Sequence, residues 1–395
     1  MPHGAHNENR VIHLPKEAYT SQAWFDREMR DIFGRNWQFA GFVEDLAEPG
    51  DYLVAQAGPY SLLVVKGRDQ RLRAFNNMCR HRGTQLLRTC GKAQKAITCP
   101  YHDWTYSLNG ELIGVPQHEQ EFPDLDKRTL PLHKAKVETW LGMIWVHPDP
   151  DAVALPHWLE GVQDWIGPHR PEELIEYPEG ATDHTIQANW KIVVENYIDG
   201  YHLAHLHSST LNMYDHQQQV TGFCGPHFYF YEPLSETYQQ NLEKMSPLPL
   251  IDHFTGAHPI GAYVPMLFPA LGIGASESSW SIFQVIPLAP DQTRVITRTR
   301  VMNLPERAFA KQAARSAPHY AKMAGKYPDG ADDDPMNSLD FMAEDIYVCE
   351  QQQRSLASPL FSVGATARYQ EASVRGFQKR VLQALDQART DTQRT

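Results

Sequence analysis

The chain has 395 residues, a length that predicts two domains or one large one, and its 42% hydrophobic and 21% charged residues are ordinary for a globular protein. A net charge of −11 disfavours a nucleic-acid partner, which would require a basic face. The five cysteines are an odd and sparse set, so they indicate reduced thiols or metal ligands instead of a disulfide framework.

The N-terminus carries no visible targeting signal. Residues 1–20 are polar and lack the apolar core of a signal peptide. No stretch of the chain approaches the ~18 apolar residues that crossing a bilayer requires. We therefore expect no membrane partner and a cytoplasmic location.

The first part of the chain predicts a short helical segment followed by a small β-domain. Residues 16–36 have helical apolar spacing, which predicts an N-terminal helical segment over 1–37. Over 38–155, short β-rich runs such as DYLVAQAG and SLLVVKG alternate with Gly, Asn and Asp turns. This texture predicts an all-β domain.

The remaining residues, 156–395, mix helix and strand and predict a second domain, so that the fold class is α+β. Residues 189–207 are predicted to form one helix, and most of 305–390 is predicted to be helical. The β-rich runs in this part are 227–233, 279–289 and 293–302.

Two mixed Cys/His pairs lie in the β-domain. They read Cys79-x-His81 and Cys99-x2-His102, separated by seventeen residues. Two thiolates on one iron and two imidazoles on the other are the ligands of a Rieske-type [2Fe–2S] cluster. A Cys2His2 zinc site would pair like residues with like, so zinc fits this spacing less well.

A second group of metal-binding residues lies between Glu195 and His207 in the other domain. Two histidines and one carboxylate with open positions are typical of non-haem Fe(II) oxygenases. His202 and His205 would share a helix face, whereas His202 and His207 would diverge by about 140° on a regular helix. The latter pair converges only if the helix ends or bulges, so spacing alone leaves the pair open.

The residues around the cluster motif resemble the Rieske domain of the bacterial ring-hydroxylating oxygenase family, alpha-subunit type. The matching stretches are NNMCRHRGTQLL and CPYHDWTYSLNGEL, including Trp104. Respiratory-chain Rieske proteins carry an extra Cys in each loop, whereas this chain has Thr84 and Tyr101. Both departures favour the oxygenase type.

The same resemblance assigns roles around residue 200. The family's Asp-x2-His-x4-His motif falls on Asp199, His202 and His207, which leaves His205 unligated. His202 and His207 are then iron ligands. Asp199 is then a catalytic residue that hydrogen-bonds His202 of its own subunit and the cluster ligand His102 of the next. The resemblance therefore implies a ring-shaped homotrimer.

The third iron ligand in the family is a carboxylate on a C-terminal helix. Asp345 is the best match, in the stretch AEDIYVCE. Glu344 and Asp340 are rivals for this role.

The resemblance covers nearly the whole chain and implies a terminal oxygenase with a helix-grip-like antiparallel sheet in its catalytic domain. Its cofactors would be the [2Fe–2S] cluster and a mononuclear Fe(II), with O₂ as co-substrate. The nearest fragment to a nucleotide-binding fingerprint, at Gly272–Gly274, has Glu277 in place of its third Gly. Electrons from NAD(P)H would therefore come through a separate flavin or iron–sulfur reductase, with or without a ferredoxin, and a small beta subunit is a further partner of some relatives.

The substrate prediction rests on aromatic residues between 223 and 283. They suit a small aromatic compound or aromatic acid, which we expect first. The chain also resembles the branch that oxidises methylated amines, and a quaternary amine of the choline or betaine kind is the alternative because Tyr and Trp faces attract cations. Most of these side chains are expected to be strand core: Phe223, Phe228, Tyr229, Phe230, Tyr231, Trp280 and Phe283.

Three other classes of protein compete with the oxygenase. A pure electron carrier would leave the second domain without a task and would bind two irons per chain instead of three. A zinc hydrolase would use the histidine group without consuming O₂. A non-catalytic sensor would share the fold.

Overall fold

The computed structural model describes residues 14–92, 95–252, 260–327 and 333–392. The first thirteen residues of the predicted N-terminal segment lie outside the described residues. The chain forms two compact units, one of residues 27–158 and the other of 159–395 with the described residues before 27. None of the described helices combines the length and the apolar character needed to cross a bilayer.

The helices lie near the start, in the middle and at the end of the described chain. In chain order they are α1 (Glu17–Thr20), α2 (Gln22–Asp31), α3 (His118–Glu121), α4 (Leu155–Trp158), α5 (Trp190–Ile198), α6 (Leu203–Leu206), α7 (Glu236–Gln240), α8 (Leu242–Met245), α9 (Glu306–Tyr320), α10 (Phe341–Leu356) and α11 (Ala372–Thr392).

The unit of residues 27–158 is built from antiparallel strands. They are β1 (Gln38–Phe42), β2 (Asp51–Ala57), β3 (Tyr60–Lys66), β4 (Leu72–Asn76), β5 (Gly91–Lys92), β6 (Ile97–Thr98), β7 (Thr105–Tyr106), β8 (Leu112–Gly114), β9 (Lys134–Trp140) and β10 (Met143–His147). Seven of them form one sheet in the order β1-β10-β9-β4-β3-β2-β5, and β6-β7-β8 form a small second sheet.

Strand β3 shows why this unit has two cores. Its continuous apolar run places alternate side chains on opposite faces of the sheet. Leu63 and Val65 pack in the core that also contains Cys79 and Cys99. The neighbouring Leu62 lies in the other core, beyond the opposite face. The small β6-β7-β8 sheet covers the first core, so the cluster motif is anchored on buried apolar side chains.

The other unit holds a nine-stranded antiparallel sheet. Its strands are β11 (Ile175–Glu176), β12 (Thr182–Ile186), β13 (Val220–Cys224), β14 (His227–Pro233), β15 (Gly261–Tyr263), β16 (Met266–Leu267), β17 (Leu271–Ala275), β18 (Trp280–Ala289) and β19 (Gln292–Val301). The order is β11-β19-β18-β17-β15-β14-β13; β12 pairs with β19, and β16 with β14 and β17. The three strands predicted from β-rich runs correspond to β14, β18 and β19.

Helix α5 is buried on nearly all sides. Asn189 begins it by accepting a hydrogen bond from the Lys191 backbone N–H. Helices α10 and α11 contact α5, and the long hairpin of β18 and β19 contacts it as well. The helix that carries the Asp199 region is therefore held by both the sheet and the C-terminal helices.

The prediction of one helix over 189–207 is wrong. Helix α5 ends at Ile198, and Asp199 has extended backbone angles, with φ −77° and ψ 117°. The Asp199 side chain then accepts a hydrogen bond from the Tyr201 backbone N–H over 2.7 Å. Such an Asx turn replaces the helical hydrogen bond, so the chain bends before α6 begins.

Candidate metal centres

The helix break decides which histidines can meet. His202 immediately precedes the four-residue helix α6, and His207 immediately follows it. Their imidazole rings are 5.1 Å apart between centroids. The 140° divergence expected on a regular helix is absent because α6 is a single short turn with both histidines at its ends. His205 is exposed, and its ring contacts only Tyr201 among the aromatic neighbours described.

Asp345, from α10, joins these two histidines. Its Oδ1 lies 3.1 Å from His207 Nε2 and 3.7 Å from His202 Nε2. One ligand atom from each of the three side chains falls within 4.8 Å of the others. Two imidazole nitrogens and one carboxylate are the donor set of mononuclear non-haem iron sites, so the residues present fit that metal.

A carboxylate fixes the orientation of each histidine. Asp199 Oδ2 lies 3.1 Å from His202 Nδ1, and Glu344 Oε2 lies 2.7 Å from His207 Nδ1. An ionised carboxylate only accepts, so these contacts favour a proton on each Nδ1, and a neutral ring of that form would offer its Nε2 lone pair to a metal. Burial alone would lower the pKa of His207, but the neighbouring Asp345 and Glu344 outweigh it and raise that pKa.

Two further groups hold the carboxylates in place. Asn196 on α5 donates from Nδ2 to Asp345 Oδ1 over 3.1 Å. Thr210 donates from its hydroxyl to Glu344 Oε2 over 2.8 Å. Glu344 is buried and Asp345 is partly buried, so these donors replace water that the carboxylate oxygens have lost. The ligand set is thus part of a hydrogen-bonded network from three separate segments.

The two rivals of Asp345 have other positions. Glu344 contacts the outer nitrogen of His207, on the side of the ring away from Asp345. Asp340 caps α10 by accepting from the Met342 backbone N–H over 2.9 Å. Of the three carboxylates, Asp345 is the one grouped with both Nε2 atoms.

The two Cys/His loops in the other unit have the same backbone form. The Cys79 backbone N–H donates to the Thr84 carbonyl, and the Cys79 carbonyl accepts from the Gly83 backbone N–H. Cys99 repeats both bonds, with Trp104 O and Asp103 N–H. Gly83 and Asp103 both have positive φ, 74° and 55°. Each loop therefore presents its cysteine and histidine through a left-handed turn.

The four side chains of these loops converge. Cys79 and Cys99 are each 2% exposed, and the rings of His81 and His102 are 4.7 Å apart. His81 also stacks on Trp104, and its buried Nδ1 has no hydrogen-bond partner among the described residues. Burial, together with His102 and Arg82, lowers the pKa of His81 and favours the neutral, metal-binding imidazole. The residues fit a Rieske-type cluster.

Tyr106 is the support of this site that the sequence did not single out. Its hydroxyl lies 3.4 Å from Cys79 Sγ and accepts a hydrogen bond from the Arg80 backbone N–H over 2.9 Å. A thiolate can only accept a hydrogen bond, so the phenol proton would be donated to Cys79 Sγ when this cysteine binds iron. Burial raises the pKa of Tyr106 above its ordinary value, so the phenol stays protonated.

A cavity of about 530 Å³ opens beside His202, His207 and Asp345 and extends along the inner face of the nine-stranded sheet. Of the aromatic residues weighed for the substrate, Phe230 and Phe283 line it. Its wall also includes Tyr214, Tyr238 and Glu277, none of which the sequence pointed to. In the sequence, Glu277 stands only where a nucleotide-binding fingerprint would have its third Gly.

Two family models match the chain. The model described as the ring hydroxylating alpha subunit, catalytic domain, matches residues 171–387. The model described as the Rieske [2Fe-2S] domain matches residues 36–138. Together they include every Cys, His and Asp residue discussed above as a metal ligand.

Curated relatives match about half of the chain. The carnitine monooxygenase oxygenase subunit of Acinetobacter baumannii is 34% identical over 198 residues, 49% of this chain and 52% of that protein. The biphenyl 2,3-dioxygenase subunit alpha of Rhodococcus jostii is 35% identical over 199 residues, 49% of this chain and 43% of that protein. The chain thus spans about half the length of the curated relatives it matches.

Solved structures match the fold over nearly the whole chain. A quaternary ammonium Rieske monooxygenase, CntA, in complex with L-carnitine has a TM-score of 0.72 at 22% identity, covering 96% of this chain and 97% of that one. Naphthalene 1,2-dioxygenase from Rhodococcus sp., bound to indole, has a TM-score of 0.70 at 21% identity, covering 94% of both chains. At this identity the likeness establishes the architecture alone.

Proposed function

This chain belongs to the ring hydroxylating alpha subunit family, with a Rieske [2Fe–2S] cluster and a mononuclear iron as its cofactors, and from that premise we propose that it is a terminal oxygenase component. The observation that carries the proposal is the convergence of His202, His207 and Asp345 at the wall of a cavity. O₂ is the proposed co-substrate, and a small organic molecule in the cavity is the proposed target.

We propose Cys79, His81, Cys99 and His102 as the cluster ligands and His202, His207 and Asp345 as the iron ligands. When bound, the cluster supplies single electrons and the iron supplies activation of O₂ for insertion into the substrate. The donor sets and the carboxylates beside Nδ1 of both iron-site histidines support these assignments.

The neighbouring residues have positioning roles in this proposal. Glu344 holds the proton on His207 Nδ1, and Thr210 holds Glu344. Asn196 orients the Asp345 carboxylate by donating to its Oδ1. Such contacts keep three flexible side chains in one geometry and raise the basicity of the coordinating atoms.

Asp199 is proposed to connect the two kinds of centre. One of its oxygens lies near His202 Nδ1, and the other accepts from the Tyr201 backbone N–H. We propose a homotrimer in which Asp199 also meets His102 of the partner subunit. Electrons from NAD(P)H are proposed to arrive through a separate reductase, with or without a ferredoxin.

The named relatives suggest two substrate classes. Biphenyl and naphthalene dioxygenases act on aromatic rings, and carnitine monooxygenase acts on a quaternary amine. Phe230 and Phe283 in the cavity wall support an aromatic compound as the first candidate. The acidic residues of the same wall support a methylated amine as the second.

Oxygen uptake tests the function. The purified chain should contain three irons, be red-brown, and consume O₂ with an aromatic compound or a methylated amine only when a reductase and NADH are supplied. An electron carrier would contain two irons and form no oxygenated product. Turnover with NADH and substrate but no reductase would contradict the proposed electron supply.

The Asp199→Ala variant tests the connection. We expect product formation to fall by at least 100-fold while the visible spectrum of the cluster and the iron content stay unchanged. Asp291→Ala, on the exposed turn between β18 and β19 of the same unit, is the control. Full turnover of Asp199→Ala would show that Asp199 has no part in electron delivery.

A further inference from the structure

Glu277 is a charged residue in an unusual place. It lies in the turn Ser276–Ser279, which joins β17 to β18. Side chains in hairpin turns normally point into solvent. Glu277 is only 4% exposed, and it lines the cavity that contains the proposed iron ligands.

One oxygen of Glu277 is satisfied and the other is not. The Tyr238 hydroxyl lies 3.1 Å from Oε1 and donates to it. Oε2 is buried and has no hydrogen-bond partner among the described residues. Buried polar atoms almost always have a partner, and an uncompensated buried carboxylate is costly. Such an atom in a cavity wall indicates that a ligand supplies the missing donor.

No positive side chain of the described residues compensates this carboxylate. Burial raises the pKa of Glu277, against the opposing effects of its own backbone N–H and of the Tyr238 and Ser246 hydroxyls, and no lysine or arginine is among the groups that shift this pKa. The Ser246 hydroxyl donates its proton to the Leu248 carbonyl over 2.8 Å. Among the described residues, the cavity wall contains no lysine or arginine. Apart from its tyrosines, its titratable members are acidic residues and the two proposed ligand histidines: Asp199, Glu232, Glu277, Asp340, Asp345, His202 and His207.

The other buried glutamate of the wall provides a contrast. Glu232 Oε1 accepts from His216 Nδ1 over 2.7 Å and from Gln219 Nε2 over 3.1 Å. Its buried position is therefore explained by the protein itself. Glu277 differs because its Oε2 has no partner among the described residues. The cavity that Glu277 lines also contains Tyr214 and Tyr238, whose ring faces attract cations.

We propose that Glu277 determines substrate specificity by accepting a hydrogen bond at Oε2 from the N–H of a positively charged amine bound in the cavity. The inference rests on the proposed oxygenase function and narrows its substrate class. A protonated secondary or tertiary amine supplies both the donor and the counter-charge. A quaternary ammonium ion supplies only the charge, and an aromatic acid adds a negative charge to an acidic wall.

The test measures binding without turnover. The holoenzyme is titrated calorimetrically under anaerobic conditions at about pH 7 with N,N-dimethylbenzylamine, which is protonated there, and with its neutral isostere isopropylbenzene. Benzyltrimethylammonium, which lacks the N–H, and benzoate complete the series. We expect the protonated amine to bind about 10- to 100-fold more tightly than each of the other three, the size of a charge-assisted hydrogen bond.

Variants assign the preference to Glu277. Glu277→Gln keeps the size of the side chain and should remove most of the preference for the amine over isopropylbenzene. Glu277→Asp keeps the charge and should retain part of it. Because both ligands are measured on one preparation, the ratio of their affinities is independent of the fraction of folded protein. Glu236→Gln, an exposed carboxylate on α7, should leave the ratio unchanged.

Two results would overturn the inference: equal wild-type binding of the protonated and quaternary amines, or an unchanged ratio in Glu277→Gln. The wild-type titrations decide even if Glu277→Gln fails to fold. Oxygen uptake with a reductase is measured separately. Oxidation of isopropylbenzene without amine binding would refute this specificity but support the oxygenase function. Amine binding without any product from the whole series would support the specificity but refute the oxygenase function.

Discussion

The two proposed metal sites, called the cluster site and the iron site below, are built in opposite ways. The cluster site uses two loops of one short stretch, residues 79–102, and each loop is closed by its own backbone hydrogen bonds. The iron site brings Asp345 to His207 across 138 residues of chain and holds each ligand through another side chain. The cluster geometry therefore depends on the backbone of its two loops. The iron geometry depends on the side chains of two carboxylates and an amide, and single substitutions can remove each of these.

Loss of a cluster ligand should have the largest effect. In Cys99→Ala we expect no cluster, a fall from three irons per chain to one, and turnover below detection, because two thiolates hold the same iron. Iron analysis and the visible spectrum check this. Cys90→Ala, which removes an exposed cysteine of the same unit, should behave as wild type. Partial retention of the cluster in Cys99→Ala would contradict the proposed role of Cys99 as a cluster ligand.

Loss of an iron ligand should also abolish most of the activity, but it should leave the cluster in place. In His207→Ala we expect two irons per chain, an unchanged cluster spectrum, and turnover reduced by at least 1,000-fold. His205→Ala, at the exposed neighbouring histidine, is the matched control and should keep three irons. If His205→Ala lost iron and His207→Ala kept it, the assignment of the ligand pair would be reversed.

Substitution of a supporting carboxylate should have a graded effect. Glu344→Gln keeps the shape beside His207 Nδ1 but removes the charge that strengthens the imidazole as a donor. We expect iron affinity to fall about tenfold, the lower end of the range for such contacts, with the cluster spectrum intact. Competition with a chelator measures the affinity, and Glu306→Gln on α9 is an exposed control. An unchanged affinity would mean that the charge of Glu344 does not strengthen the iron site.

Tyr106→Phe should give the smallest change, and it tests the cluster side of the comparison. We expect the Tyr106 hydroxyl, 3.4 Å from Cys79 Sγ, to stabilise the more negative, reduced form of the proposed cluster. Its removal should lower the one-electron reduction potential by about 40 mV, the equivalent of about 1 kcal/mol for a neutral hydrogen bond. Spectroelectrochemical titration measures the shift. Tyr101→Phe, in the exposed second loop, should not move the potential, and equal shifts in both variants would point to a general loosening of the loops.

Sequence reasoning anticipated the architecture because its signals are local. The alternating and continuous apolar runs predicted β2, β3, β14, β18 and β19, and the structure contains them. The single helix over 189–207 was wrong for a local reason as well: Asp199 competes for the Tyr201 backbone N–H and ends α5. Helical spacing counts apolar positions and does not register that competition.

Which residues form the iron site depends on tertiary contacts that sequence spacing does not predict. From the sequence, Asp345, Glu344 and Asp340 were three acidic residues near the start of one helix. The rotation of α10 against α5 turns Asp345 toward both Nε2 atoms and Glu344 toward the far side of His207. No sequence pattern predicted a role for Glu277, because its burial depends on the contact between its hairpin turn and Tyr238 of α7.

By itself, the sequence determined that this protein has a β-domain with a Cys/His cluster motif and a second α+β domain rich in metal-binding residues. Those features follow from ligand spacing within single loops and from apolar periodicity, and both are local patterns in the sequence. Only the tertiary structure decided which carboxylate joins the two histidines, which residues orient them, and which buried oxygen is left without a donor. These depend on the relative rotation of distant helices and on burial, and packing sets both.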